Sequence, residues 1–150
     1  MADNYAQFSE TIEIPREAEA WLKEVLSADH HGTEDEEYEA FCKDLGVEDI
    51  EVDCWPGFDW DVSKGEFWFY SDEGIDEESL TIVLQALLRK FMPDDLITVT
   101  IALTCSQMRA GDFGGAWLVI SKDDVQGGHT HEAAKKTAEE MRERMNNAGD

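Results

Sequence analysis

The chain has 150 residues, 42% hydrophobic and 10% aromatic, which suits one packed domain and excludes wholesale disorder. Thirty-five Asp and Glu oppose 12 Lys and Arg, a formal charge of −23. That charge excludes direct binding of the chain as a whole to nucleic-acid phosphate or to an anionic membrane, and no apolar run is long enough to span a bilayer.

The start, Met1-Ala2-Asp3-Asn4, has neither the basic nor the apolar stretch of a secretory signal. Thr11-Ile12-Glu13-Ile14 alternates as a half-buried strand does. Pro15 then suits the first position of a helix, whose stripe is Ala18, Trp21, Leu22, Val25 and Leu26. A second helix is expected from Thr33, with Thr33 and Glu36 as a capping box and Gly46 as its stop. Its buried stripe is Tyr38, Phe41, Cys42 and Leu45.

Residues 58–62 and 66–70 alternate with period two around Ser63-Lys64-Gly65, which predicts a hairpin with a three-residue turn. That register sets Trp60 opposite Trp68. Phe58, Trp60, Val62, Trp68 and Tyr70 then share one face, and Asp59, Asp61, Phe67 and Phe69 share the other. Either the last helix covers that second face, or Phe67 and Phe69 form an exposed binding patch.

The clearest helix is 76–92, with Leu80, Val83, Leu84, Leu87, Leu88 and Phe91 in one stripe and charges matching its dipole. Pro93 stops it. Strands are expected at 97–103 and 116–120, and an Ala-rich helix at 130–146, with Ala134, Ala138, Met141 and Met145 on one side. The end, 147–150, is expected to fray. The order β-α-α-β-β-α-β-β-α predicts an α+β class, with an antiparallel or mixed sheet of about five strands and helices mainly on one face. Its β-α-β-β-α-β portion is compatible with a ferredoxin-like topology. No linker divides residues 1–150.

Chemistry-bearing residues are sparse. Cys42, Cys54 and Cys105 are an odd set without C-x-x-C spacing, which predicts free thiols in a reducing, cytoplasmic setting. His30-His31 and His129-x-His131 lack helical i, i+4 spacing and read as loop histidines, so no metal or other cofactor is expected. Asp59 and Asp61 project together from one strand. They could suit a hydrolase or a cation site, but a solvated strand face accounts for them.

The segment from Thr104-Cys105-Ser106 through Arg109 to Phe113-Gly114-Gly115 leaves a buried strand and enters another through three glycines. Together with Phe91-x-Pro93 and the hairpin ending at Trp68, it resembles an uncharacterised family of small bacterial and phage proteins with a Thr-Cys-Ser-x-x-Arg…Phe-Gly-Gly pattern. The resemblance covers most of residues 5–121 and is specific only in this loop. It implies a shared fold and no activity. Physically, Cys105, Ser106, Arg109, Gly114 and Gly115 offer a thiol, a hydroxyl, a cation and free backbone N–H groups, a set that could bind an anion or small ligand or serve an enzyme. A buried thiol, an ion-paired arginine and turn glycines account for the same residues.

The acidity is concentrated. Residues 31–60 carry eleven acids and one base, whereas 98–150 carry eight and six. A salt-rich cytoplasm, simple solubility, or a partner with a basic groove would each explain it. On the last reading the composition is similar to that of the DNA-mimic inhibitors of phages and plasmids. It favours an acidic protein-binding module; the alternative is a generic acidic cytosolic domain, or a ligand-binding protein or enzyme that uses the Cys105 loop. The expected contact residues are Glu34, Asp35, Glu36, Glu37, Asp44, Glu48, Asp49, Glu51, Asp53, Asp59 and Asp61, with Phe67 and Phe69 adding apolar contact.

Overall fold

The computed structural model describes residues 4–27, 36–47, 55–105 and 113–148. In chain order these form β1 (Asn4–Glu13), α1 (Arg16–Leu26), α2 (Glu36–Leu45), β2 (Asp59–Ser63), β3 (Glu66–Ser71) and α3 (Glu77–Phe91). They continue with β4 (Ile97–Cys105), β5 (Gly114–Ile120), β6 (Val125–His129) and α4 (Thr130–Ala148). The strands make one sheet, ordered β2-β3-β1-β4-β5-β6, with every neighbouring pair antiparallel. The class is α+β, as the periodicities indicate. Each helical crossover among β1 to β4 skips one strand, which is the split arrangement of a ferredoxin-like unit. Strands β5 and β6 extend it past β4.

One face of the sheet is loaded with helices. α1 buries Ala18, Leu22, Val25 and Leu26, and α3 buries Leu80, Val83, Leu84, Leu87 and Leu88, at the spacing of a helix stripe. They close over Phe8, Val62, Phe67, Phe69, Val99, Ile101 and Ile120 from the strands. Each large side chain removed from water here contributes about 1.5–3 kcal/mol. α3 starts on Asp76, whose carboxylate accepts from the Ser79 amide at 3.1 Å and from the Ser79 hydroxyl at 3.0 Å. α2 packs outside α3 through Leu45, Val25 and Ala86.

The left-handed backbone of Gly46, at φ +76°, ends α2. Arg89 Nη2 of α3 donates to the Leu45 carbonyl at 3.1 Å, and Nη1 donates to the Lys122 carbonyl at 3.0 Å. One guanidinium thus joins the negative end of α2 to the β5–β6 turn.

Three expectations change. The hairpin turns through two residues, Lys64 and Gly65, both at positive φ, 52° and 78°. That is a type I′ turn, whose twist matches the strands. Ser63 pairs with Glu66, so Asp61 lies opposite Trp68 and Trp60 opposite Phe69. The one-residue change moves every β3 side chain to the other face. Second, β6 is an additional strand that makes His129 a strand residue, and His131 lies in the first turn of α4. His131 Nε2 lies 2.6 Å from the Phe113 carbonyl. Third, α4 runs through Asn147 to Ala148, where fraying is expected.

Candidate functional site

Among the described residues, no helix layer covers the other face of the sheet. Alternation and register place Asp59 and Asp61 of β2, Glu66, Trp68 and Tyr70 of β3, and Ser9 and Glu13 of β1 on this face. Thr98 and Thr100 of β4 and Trp117 and Val119 of β5 continue it. Trp68 and Trp117 are each 40% exposed. Trp68 and Tyr70 stack with centroids 4.0 Å apart and planes 21° apart, and Trp68 Nε1 donates to Ser9 Oγ at 2.8 Å. The Trp117 indole lies across Gly128, where a Cβ would come within 2.9 Å of the ring. The aromatic surface is therefore held in place by its own strands.

Its charge has one sign. Asp59 lies directly opposite Tyr70 and Asp61 opposite Trp68, so two carboxylates flank the stacked pair. Ser63 Oγ donates to Asp61 Oδ2 at 3.1 Å. Glu66 and Glu13 are paired beside them. Among the described strand residues facing this side there is no lysine or arginine. Such a surface attracts cations in two ways, by carboxylate charge and by the negative faces of the rings.

Between the strands, an open cleft of about 610 Å³ lies where β1 changes partners. β1 pairs with β4 through Asn4–Gln7 and with β3 through Phe8–Glu13. Gln7 Nε2 donates to the Asp72 carbonyl at 3.1 Å, and Glu10 accepts from the Thr100 amide at 2.9 Å. These side chains supply the hydrogen bonds that the ladders lack. Ser9, Tyr70, Thr100, Gly114 and Gly115 are among the lining residues.

The described part of the acidic stretch expected to form one contact surface is divided between two sides of the molecule. Asp59 and Asp61 are exposed on the bare face, whereas α2, which carries Glu36 and Glu37, lies on the helix side. Asp44 is engaged internally: it accepts from Trp21 Nε1 at 2.6 Å and forms an ion pair with Lys90. Glu34, Asp35, Glu48, Asp49, Glu51 and Asp53 lie outside the described residues. Phe67 and Phe69 are 0% exposed and belong to the core, so the structure removes them as contact residues. The two-residue turn is the reason, because it puts Trp68 and Tyr70 outside in their place.

The expected ligand loop is seen only at its ends. Cys105 closes β4, half-buried, and Gly114 and Gly115 open β5 and line the cleft. A Cβ on Gly115 would meet Thr130 Oγ1 at 2.8 Å, so this glycine admits the start of α4. Ser106 and Arg109 lie outside the described residues. Cys42, buried, and Cys105 are free thiols, and Cys54 lies outside the described residues. Among the described residues, no cluster of His, Cys, Asp or Glu has the arrangement of a metal site, and no helix is long and apolar enough to cross a membrane. No protein-family model, curated protein or solved structure matches the chain.

Proposed function

We propose that this protein is an acidic protein-binding module that docks on a basic protein surface, of the kind that otherwise receives nucleic-acid phosphates. The observation that carries the reading is the bare sheet face, where exposed Trp68, stacked on Tyr70, stands among Asp59, Asp61, Glu13 and Glu66, with Trp117 three strands away on β5 and no lysine or arginine among the described strand residues facing this side. Aromatic anchors supply apolar contact area, and the surrounding carboxylates steer and orient a cationic partner. The remaining acidity strengthens the long-range field and accelerates encounter. Free Cys42 and Cys105 fit a reducing, cytoplasmic setting for this role.

The test is affinity capture from lysate at about 50 and about 200 mM salt, with parent protein and with Asp59→Lys/Asp61→Lys as bait. Basic proteins retained by the parent, released by salt and absent from the variant support the reading. Retention indifferent to both changes contradicts it.

A further inference from the structure

α4 is 19 residues long, and none of them is buried. Met141 is 53% exposed and Met145 71%. Helices in proteins owe most of their stability to packing of an apolar face, and this one buries no residue against its own chain. Its sequence is written for such packing. Ala134, Ala138, Met141 and Met145 recur at spacings of four, three and four, a single stripe. At 100° per residue, Lys135 and Arg142 border that stripe on one side and Arg144 on the other. Glu132, Glu139, Glu140 and Glu143 fall on the opposite side of the helix. In a chain of charge −23, this helix thus presents an apolar stripe edged with cations.

The bare sheet face is the matching surface: Trp68 is edged with Asp59, Asp61 and Glu66 at one side of the sheet, and Trp117, beside Thr100 and Gly128, gives uncharged apolar area three strands away. The dimensions also agree. Nineteen residues span about 28 Å at about 1.5 Å each. Six strands about 4.8 Å apart are about 24 Å across. The helix does not lie on its own sheet, since every one of its residues is exposed. Pairing of two α4 helices would set Lys135, Arg142 and Arg144 beside the same cations of the other helix.

We infer that α4 of one copy packs its Ala/Met stripe across the bare sheet face of a second copy, and that the exchange is reciprocal in a two-fold dimer. The inference rests on the reading of the bare face as a docking surface and names one occupant for it. A basic partner would then compete with α4 for the same aromatic residues.

Sedimentation velocity on the full chain tests this. The parent should sediment as a dimer. Met141→Asp/Met145→Asp and, separately, Trp68→Ser/Trp117→Ser should each sediment as folded monomers, with their melting curves showing that the fold is kept. Mixed in equal amounts at tenfold higher concentration, the two variants should form a dimer, because one intact helix-on-face contact remains. A monomeric parent overturns the inference. So does a face variant that stays dimeric alone, or a mixture that stays monomeric.

Deca-arginine separates this inference from the reading beneath it. The monomeric helix variant should bind the peptide at least tenfold more tightly than the parent, because its face is vacated. Equal binding to both, abolished by Asp59→Lys/Asp61→Lys, overturns the α4 inference and leaves the docking surface standing. No binding to the folded helix variant removes both.

Discussion

The two faces of the sheet use the same strands for opposite purposes. Phe67 and Phe69 of β3 are fully buried, in one cluster with Leu22 of α1 and Leu84 of α3. Trp68 and Tyr70 alternate with them and stack in the open. On the helix side the rings of Phe67 and Phe69 carry stability, fully buried among aliphatic side chains. On the bare side rings of similar size are flanked by carboxylates, and little of the fold depends on them. Neighbouring positions in one strand therefore answer to different pressures.

Substitutions on either side of that divide should differ sharply. The largest effect is expected from Leu84→Asp, which would bury an unpaired charge at a fully buried site. The variant should fail to show a cooperative thermal transition, and a soluble, cooperatively melting Leu84→Asp protein would mean that the core lies elsewhere. Phe69→Ala should cost about 3–5 kcal/mol in denaturant unfolding. Trp68→Ala, one position away, should cost about 1 kcal/mol or less, because its ring is already 40% exposed. Equal losses at the two positions would erase the distinction between the faces. Asp76→Ala removes the cap of α3 and should cost about 1 kcal/mol, read from the midpoint shift at unchanged slope. Smallest of all, in the Met141→Asp/Met145→Asp background that frees the bare face, Asp59→Lys/Asp61→Lys should leave the melting temperature unchanged or slightly raised, since it relieves like-charge repulsion there.

The helix layer was legible because its stripes obey the 3.6-residue period, and strong dipole and stop signals bound them: Asp76, Glu77, Arg89, Lys90 and Gly46. The split order of β1 to β4 is one that the element sequence is compatible with but does not dictate. The hairpin register was not legible. Gly65 marks the turn, but nothing in the sequence shows Lys64 entering the left-handed region, a costly place for a residue with a Cβ. Counting Ser63 into the turn reversed the faces and turned Phe67 and Phe69 into contact candidates. β6 was hidden because Val125-Gln-Gly-Gly-His129 has no alternating apolar pattern. Its glycines make room for Trp117: Gly128 lies under the indole, and a Cβ on Gly127 would come within 2.8 Å of the Trp117 carbonyl. The charge pointed to a cationic partner but could not place the surface, because the described acids Asp44 and Asp59 with Asp61, close in sequence, fall on opposite sides of the sheet once the chain folds.

The most direct test compares the two faces at equal cost in charge. Asp59→Lys/Asp61→Lys alters the bare face, and Glu17→Lys/Glu24→Lys alters exposed positions of α1 on the helix side. The dissociation constant of deca-arginine should be measured for both variants and the parent, each carrying Met141→Asp/Met145→Asp so that the bare face is free, at one low and one physiological ionic strength. Both variants remove two acids and add two bases, so net charge is matched. The docking account predicts a loss of at least tenfold for the bare-face pair and of about twofold or less for the α1 pair, at both salt concentrations. Equal losses in the two variants would show that only total charge matters, and would contradict the assignment of the bare sheet face as the binding surface.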